Sequence, residues 1–114
     1  MEIYEPNEGI ELLYTRDCKA WPETLVNLKK ALNKLKIKVT PCLIPVDTME
    51  QAELYNFFAS PAIHIEGADI DPRSRYTNKR GLGCGRPYFY AGQAWEAPPV
   101  EFIVTNLRKL YQEN

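Results

Sequence analysis

Three thiols, Cys18, Cys42 and Cys84, are the residues best suited to chemistry in this 114-residue chain. Cys18 follows a short apolar run and precedes a long amphipathic stretch. A thiol at a helix start meets unpaired backbone N–H groups and the positive end of the helix dipole. Both favour the thiolate, which is the nucleophilic form. Arg16 and Lys19 act in the same sense, and Asp17 acts against it. The plainer alternative is a small residue at a helix start. The local motif is Cys18-Lys19-Ala20-Trp21, with tryptophan where a dithiol motif carries its second cysteine. A dithiol releases a mixed disulfide by internal attack. Here that step needs an outside thiol or a distant cysteine. Trp21 reads as the first core anchor of the helix, and Cys42, within an apolar run, as a buried small residue.

Metal chemistry fits less well. Cys18, Cys42, Cys84 and His64 offer three sulfurs and a nitrogen, but structural zinc sites draw ligands in close pairs, and these cysteines are 24 and 42 residues apart. Two converging thiolates for a soft ion such as mercury are more credible. His64 alternates with Ile63 and Ile65 and reads as a surface or edge residue. No cofactor motif is evident. Gly81-Leu82-Gly83-Cys84-Gly85 does not follow the glycine spacing of a dinucleotide-binding loop, and no strand-to-helix junction surrounds it.

From Pro72 to Trp95 there is no acidic residue, while Arg73, Arg75, Lys79, Arg80 and Arg86 fall in the same stretch. It reads as a mobile basic loop. Cations near a thiol lower its pKa and hold the carboxylates of an anionic thiol such as glutathione. The alternative is a solvated basic loop balanced by acids elsewhere. The aromatic cluster of Tyr88, Phe89, Tyr90 and Trp95 either lines a groove beside the thiols or packs the loop against the rest of the chain.

These residues must be positioned by regular elements. Ile10 to Thr15 reads as a buried strand. Trp21, Leu25, Leu28, Leu32 and Leu35 recur at 4, 3, 4 and 3, one face of a helix that tolerates Pro22 only in its first turn. Ile37 to Val46 reads as a second strand interrupted by prolines, suited to a sheet edge. Thr48-Met49-Glu50-Gln51 is a capping box that opens a helix running to about Phe58. Ser60 to Ile65 reads as a third strand, Glu66-Gly67 as a tight turn and Ala68 to Ile70 as a return strand. Pro98-Pro99 starts a last helix, with Val100, Ile103, Val104, Leu107, Leu110 and Tyr111 on its apolar face. The order is β-α-β-α-β-β-α, an α/β domain over residues 1–114 with a loose lead-in at 1–8 and a basic, glycine-rich insert at 72–97. Helices between strands imply parallel pairing and right-handed crossovers, and the Glu66-Gly67 turn adds an antiparallel pair.

Composition excludes broad classes. With 14 basic and 15 acidic residues the formal charge is -1, which argues against a general nucleic-acid or membrane-surface binder. No run approaches the ~18 apolar residues of a membrane span. Met1 to Pro6 is acidic and broken by proline, unlike a signal peptide. Three cysteines are too few for a disulfide scaffold, so a reducing cytoplasm is the expected compartment.

Four motifs occur in sequence: Leu12-Leu13-Tyr14 leading to Cys18-Lys19-Ala20-Trp21, then Phe58-Ala59-Ser60-Pro61 before the hairpin, then Cys84-Gly85-Arg86-Pro87-Tyr88, then Pro98-Pro99. In this order the chain, from about Ile10 to Leu110, resembles small bacterial thioredoxin-fold, glutaredoxin-like proteins with a Cys-x-x-Trp motif, some associated with mercury resistance. Two departures stand out. Lys19 replaces a proline expected after the first cysteine, and Gly85 is an extra residue in the Cys-Arg-Tyr segment. The resemblance implies a thioredoxin-like fold in which Pro61 is a cis-proline facing Cys18 and Cys84 folds back beside Cys18 as the resolving thiol. It further implies that Trp21, Ser60, Arg86 and Tyr88 border the binding site, with Arg86 holding an anion. The expected partner is a thiol or disulfide, either glutathione or a protein disulfide, with no nucleic acid and no membrane. The alternative function is a non-catalytic module of the same fold that binds a protein or a thiophilic ion.

Overall fold

The computed structural model describes residues 9–112, with side chains as far as residue 110. The expected lead-in, residues 1–8, lies outside the described residues, as does the side chain of Tyr111. The architecture is mixed α/β, one four-stranded sheet with three helices packed on it. Strands β1 (Ile10–Tyr14), β2 (Cys42–Pro45), β4 (Ala62–Ile65) and β5 (Ala68–Asp69) form the sheet in the order β2-β1-β4-β5. β2 runs parallel to β1, as a helical crossover implies, but β4, reached across the next helix, runs antiparallel to β1 as well as to β5, so the expected parallel pairing holds only for the first crossover. Leu13 thus lies between Ile44 and Ala62, and Glu11 between Cys42 and His64.

Alternation along β1 divides the interior into two cores. Ile10, Leu12 and Tyr14, with Ile63 and Ile65, face helices α1 (Trp21–Lys34) and α3 (Val100–Leu107). Leu13, Ile44 and Ala62 face helix α2 (Met49–Tyr55) and Phe57 on the opposite side. Every residue of β1 is therefore buried, Glu11 included.

Helix α1 buries Leu28, Ala31 and Leu32, the face expected from the leucine spacing, and keeps Pro22 in its first turn. It closes when Lys36 takes a positive φ of 58° and the Ile37 amide donates to the Leu32 carbonyl at 2.9 Å. That turn removes Ile37 to Val39 from the sheet, so the second strand is shorter than the sequence suggested. Helix α2 has its capping box formed: Thr48 Oγ1 accepts from the Gln51 amide and Gln51 Oε1 from the Thr48 amide, each at 3.1 Å. It ends at Tyr55, three residues before Phe58, and is capped by Asn56 in the left-handed conformation. Helix α3 begins behind Pro99, as the proline pair indicated, and continues into a π-helical turn at Arg108–Gln112.

The stretch Ser60 to Ile65 is not one strand. A cis peptide bond between Ser60 and Pro61 divides it into β3 (Ala59–Ser60) and β4. β3 leaves the main sheet and pairs in parallel with β6 (Gly83–Cys84), and β7 (Tyr88–Tyr90) forms a hairpin with β8 (Gln93–Trp95). The insert thus carries three short strands where a loop was expected. It is also rooted in the core. Tyr88 is fully buried, meets Phe102 edge-on at 5.5 Å between ring centroids, and donates its hydroxyl to the Pro61 carbonyl.

Candidate functional site

Ser60 organises the site. Its register partner in β6 is Cys84, and its carbonyl accepts from the Gly85 amide at 3.1 Å. Its hydroxyl oxygen accepts from the Thr15 amide at 3.1 Å, at the end of β1. Thr15 in turn accepts the Cys18 amide at 3.1 Å through its carbonyl. One buried serine therefore links the carriers of both cysteines and immediately precedes cis-Pro61. The result is a disulfide between Cys18 and Cys84, with Cα atoms 5.5 Å apart across a sequence separation of 66. A Cα spacing of about 5.5–6 Å is usual for such a bond.

The two halves of the disulfide differ in environment. Cys18 is 3% exposed and packs with Ala20, Ala97 and Trp21, whose ring stacks on Tyr14 at 4.2 Å. It stands before the N-cap of α1, Ala20, which contributes no side-chain cap to the first turn. Cys84 is exposed and lines a cavity of about 300 Å³ with Asp17, Lys19, Ala20, Gly85 and Glu96. Asp17 and Glu96 are acidic and Lys19 is the single base, so this mouth carries no excess of positive charge.

The four arginines of the insert are engaged elsewhere. Arg80 bonds the Asn56 side chain at 2.7 Å, Arg75 donates to the Asp69 carbonyl at 3.1 Å, and Arg73 lies over the Phe89 ring. Arg86 is buried, not open to a bound anion. Its guanidinium grips the Asp69 carboxylate through two bonds of 2.8 and 3.2 Å and lies 4.5 Å from the ring centroids of Phe58 and of Tyr88. The anion expected at Arg86 is the protein's own Asp69. Arg16, expected to favour a thiolate at Cys18, reaches Asp47 at 3.0 Å.

His64 does not lie at the surface or edge expected of it. It is 3% exposed, with Nε2 3.9 Å from the Asp69 carboxylate. Alternation set it opposite Ile63 correctly, but that side of the sheet is also covered. Burial pushes its pKa below the ordinary 6.5, against the attraction of Asp69, while Arg86 and Arg80 add to the lowering. The unfolded chain therefore binds a proton at His64 more readily than the folded one, and stability rises with pH across that window. Lowering the pH below about 6.5 is expected to reduce stability until the folded-state value is passed. Urea unfolding between pH 7.5 and 5 checks this, and a His64→Gln variant should show a shallower slope; an unchanged slope removes His64 as the cause.

The site thus brings together Cys18, Cys84, Ser60 and Pro61, with Trp21 as a wall behind Cys18 and Tyr88 supporting Pro61 from within the core. Cys42 lies half-buried in β2 and outside the disulfide. Thr15, Asp17, Ala97 and Glu96 complete the surroundings; only Asp17 was marked by sequence, through its adjacency to Cys18. Among the described residues no three His, Cys, Asp or Glu side chains converge as metal ligands, and no helix is long and apolar enough to cross a membrane. No family model, curated protein or solved structure matches the chain.

Proposed function

We propose that this chain is a thioredoxin-like thiol–disulfide exchange protein of the reducing cytoplasm, with Cys18 and Cys84 as its working pair. The observation that carries the reading is the Cys18–Cys84 bond itself, held beside cis-Pro61 by Ser60. The sheet order β2-β1-β4-β5, with α1 and α3 on one face and α2 on the other, supports the thioredoxin-like part of the proposal. Cys18 just before a helix and Cys84 at a cavity provide one sheltered and one accessible sulfur, which is what a reversible dithiol requires. The acidic balance of the cavity mouth favours a protein disulfide, or a small disulfide without carboxylates, over glutathione.

The burial of Cys18 favours a second reading, a non-catalytic module in which the bond is structural or, once reduced, the two thiolates hold a soft metal ion. The reduction potential separates them. The protein is equilibrated in graded thiol–disulfide buffers, and its redox state is read by alkylation and mass. Exchange proteins fall at roughly −270 to −120 mV, and a value in that range is expected. A potential below roughly −300 mV marks a structural bond and removes the exchange role.

A further inference from the structure

Resting on the exchange reading, we infer that Cys84, not the helix-associated Cys18, is the sulfur that meets the substrate, and that Cys18 is the resolving thiol. The sequence motif suggested the reverse. Two independent observations carry the assignment. The first is access: Cys84 is exposed and lines the cavity of about 300 Å³, whereas Cys18 is 3% exposed and sits among Ala20, Ala97 and Trp21. Attack on a disulfide requires the incoming sulfur to reach the sulfur attacked, and only the Cys84 side borders open space. The second is position along α1. Cys18 stands just ahead of the helix, where unpaired amides and the dipole favour a departing negative charge. Cys84 lies in a two-residue strand with no helix behind it. Attack at Cys84 with departure of Cys18 is favoured by access, and the helix end offsets the cost that the apolar surroundings of Cys18 set against its thiolate.

Reduction then proceeds in two displacements. A small thiolate entering the cavity attacks Sγ of Cys84. A bond forms between the incoming sulfur and Cys84 as the Cys84–Cys18 bond breaks, and Cys18 departs with the electron pair. A second thiolate attacks the incoming sulfur, forming the small disulfide and releasing the Cys84 thiolate. Two thiols are oxidised by two electrons in all, the protein disulfide is reduced, and the protons of the two thiols end on Cys18 and Cys84 or in solvent. In the reverse direction Cys84 attacks a substrate disulfide, and Cys18 displaces the product from the mixed disulfide.

The test uses the full chain and cystamine, a small disulfide with two ammonium groups and no carboxylate. Reduced Cys18→Ser protein should accumulate a stable mixed disulfide on Cys84, at least about tenfold faster than reduced Cys84→Ser protein labels Cys18. In the reduced wild type, brief iodoacetamide treatment followed by peptide mapping should mark Cys84 ahead of Cys18, a readout that requires no folded variant. Faster trapping or alkylation at Cys18 overturns the assignment while leaving the exchange function intact. A wild-type protein that exchanges with no disulfide removes the exchange function, and this assignment with it.

Discussion

Replacing Arg86 with methionine is expected to lower folding stability by about 3–5 kcal/mol. The reason is the carboxylates left behind more than the contacts removed. The Arg86 side chain is 2% exposed, and those of Asp69 and Asp71 are 7% and 5% exposed. Asp69 takes two bonds from the guanidinium, and Asp71 lies 3.9 Å from it. Without the cation two buried acidic groups keep only backbone-amide bonds, from Asp71 to Asp69 at 2.9 Å and from Arg73 to Asp71 at 3.0 Å, and no opposite charge of equal strength, which is costlier than losing an exposed pair. An Arg86→Met, Asp69→Asn double variant should recover part of the stability, since the two residues act as one unit. Urea unfolding of the three proteins decides the matter. A single-variant loss below about 1 kcal/mol would mean that the pair behaves as a solvated surface bridge.

Reduction of the Cys18–Cys84 bond is expected to lower stability by about 4 kcal/mol in the chain-entropy account, because the bond closes a long loop, with a sequence separation of 66. Oxidised and reduced proteins compared by urea unfolding measure this, and a Cys84→Ser variant should match the reduced protein without added thiol. A difference under about 1 kcal/mol would show that the reduced loop stays ordered when unfolded or that the oxidised form is strained. The same quantity must reappear in the redox titration. Folding, unfolding and the two redox states form a closed cycle, so a bond that stabilises the fold by about 4 kcal/mol has a potential roughly 90 mV lower in the folded than in the unfolded chain.

Elements set by local chemistry were legible in the sequence. The leucine ladder of α1, the Thr48–Gln51 box and the proline pair before α3 each act over a few residues, and each is found where the pattern places it. The Glu66-Gly67 turn also formed, with φ of 50° and 83° at its two residues. What escaped depends on distant partners. Nothing near Gly83 indicates that it lies in register with Ala59, so β6 was read as loop. The β7–β8 hairpin turns on Ala91 and Gly92, both at positive φ, and alanine is a rare occupant of that region. Alternation places His64 on the second face but does not tell what covers it; α2 and the insert bury that face as fully as α1 and α3 bury the other. The burial of Arg86 escapes local reasoning for a related reason. Its partner Asp69 lies outside the acid-free stretch that made the insert look like an anion receptor.

Arg86 and Tyr88 follow Cys84 within four residues, and both are fastened in the interior. The segment that carries Cys84 is therefore fastened at both Arg86 and Tyr88 and is not a free tether. Under the exchange function proposed above, a visiting disulfide would have to fit itself to a fixed rim, because the rim has little freedom to come to it.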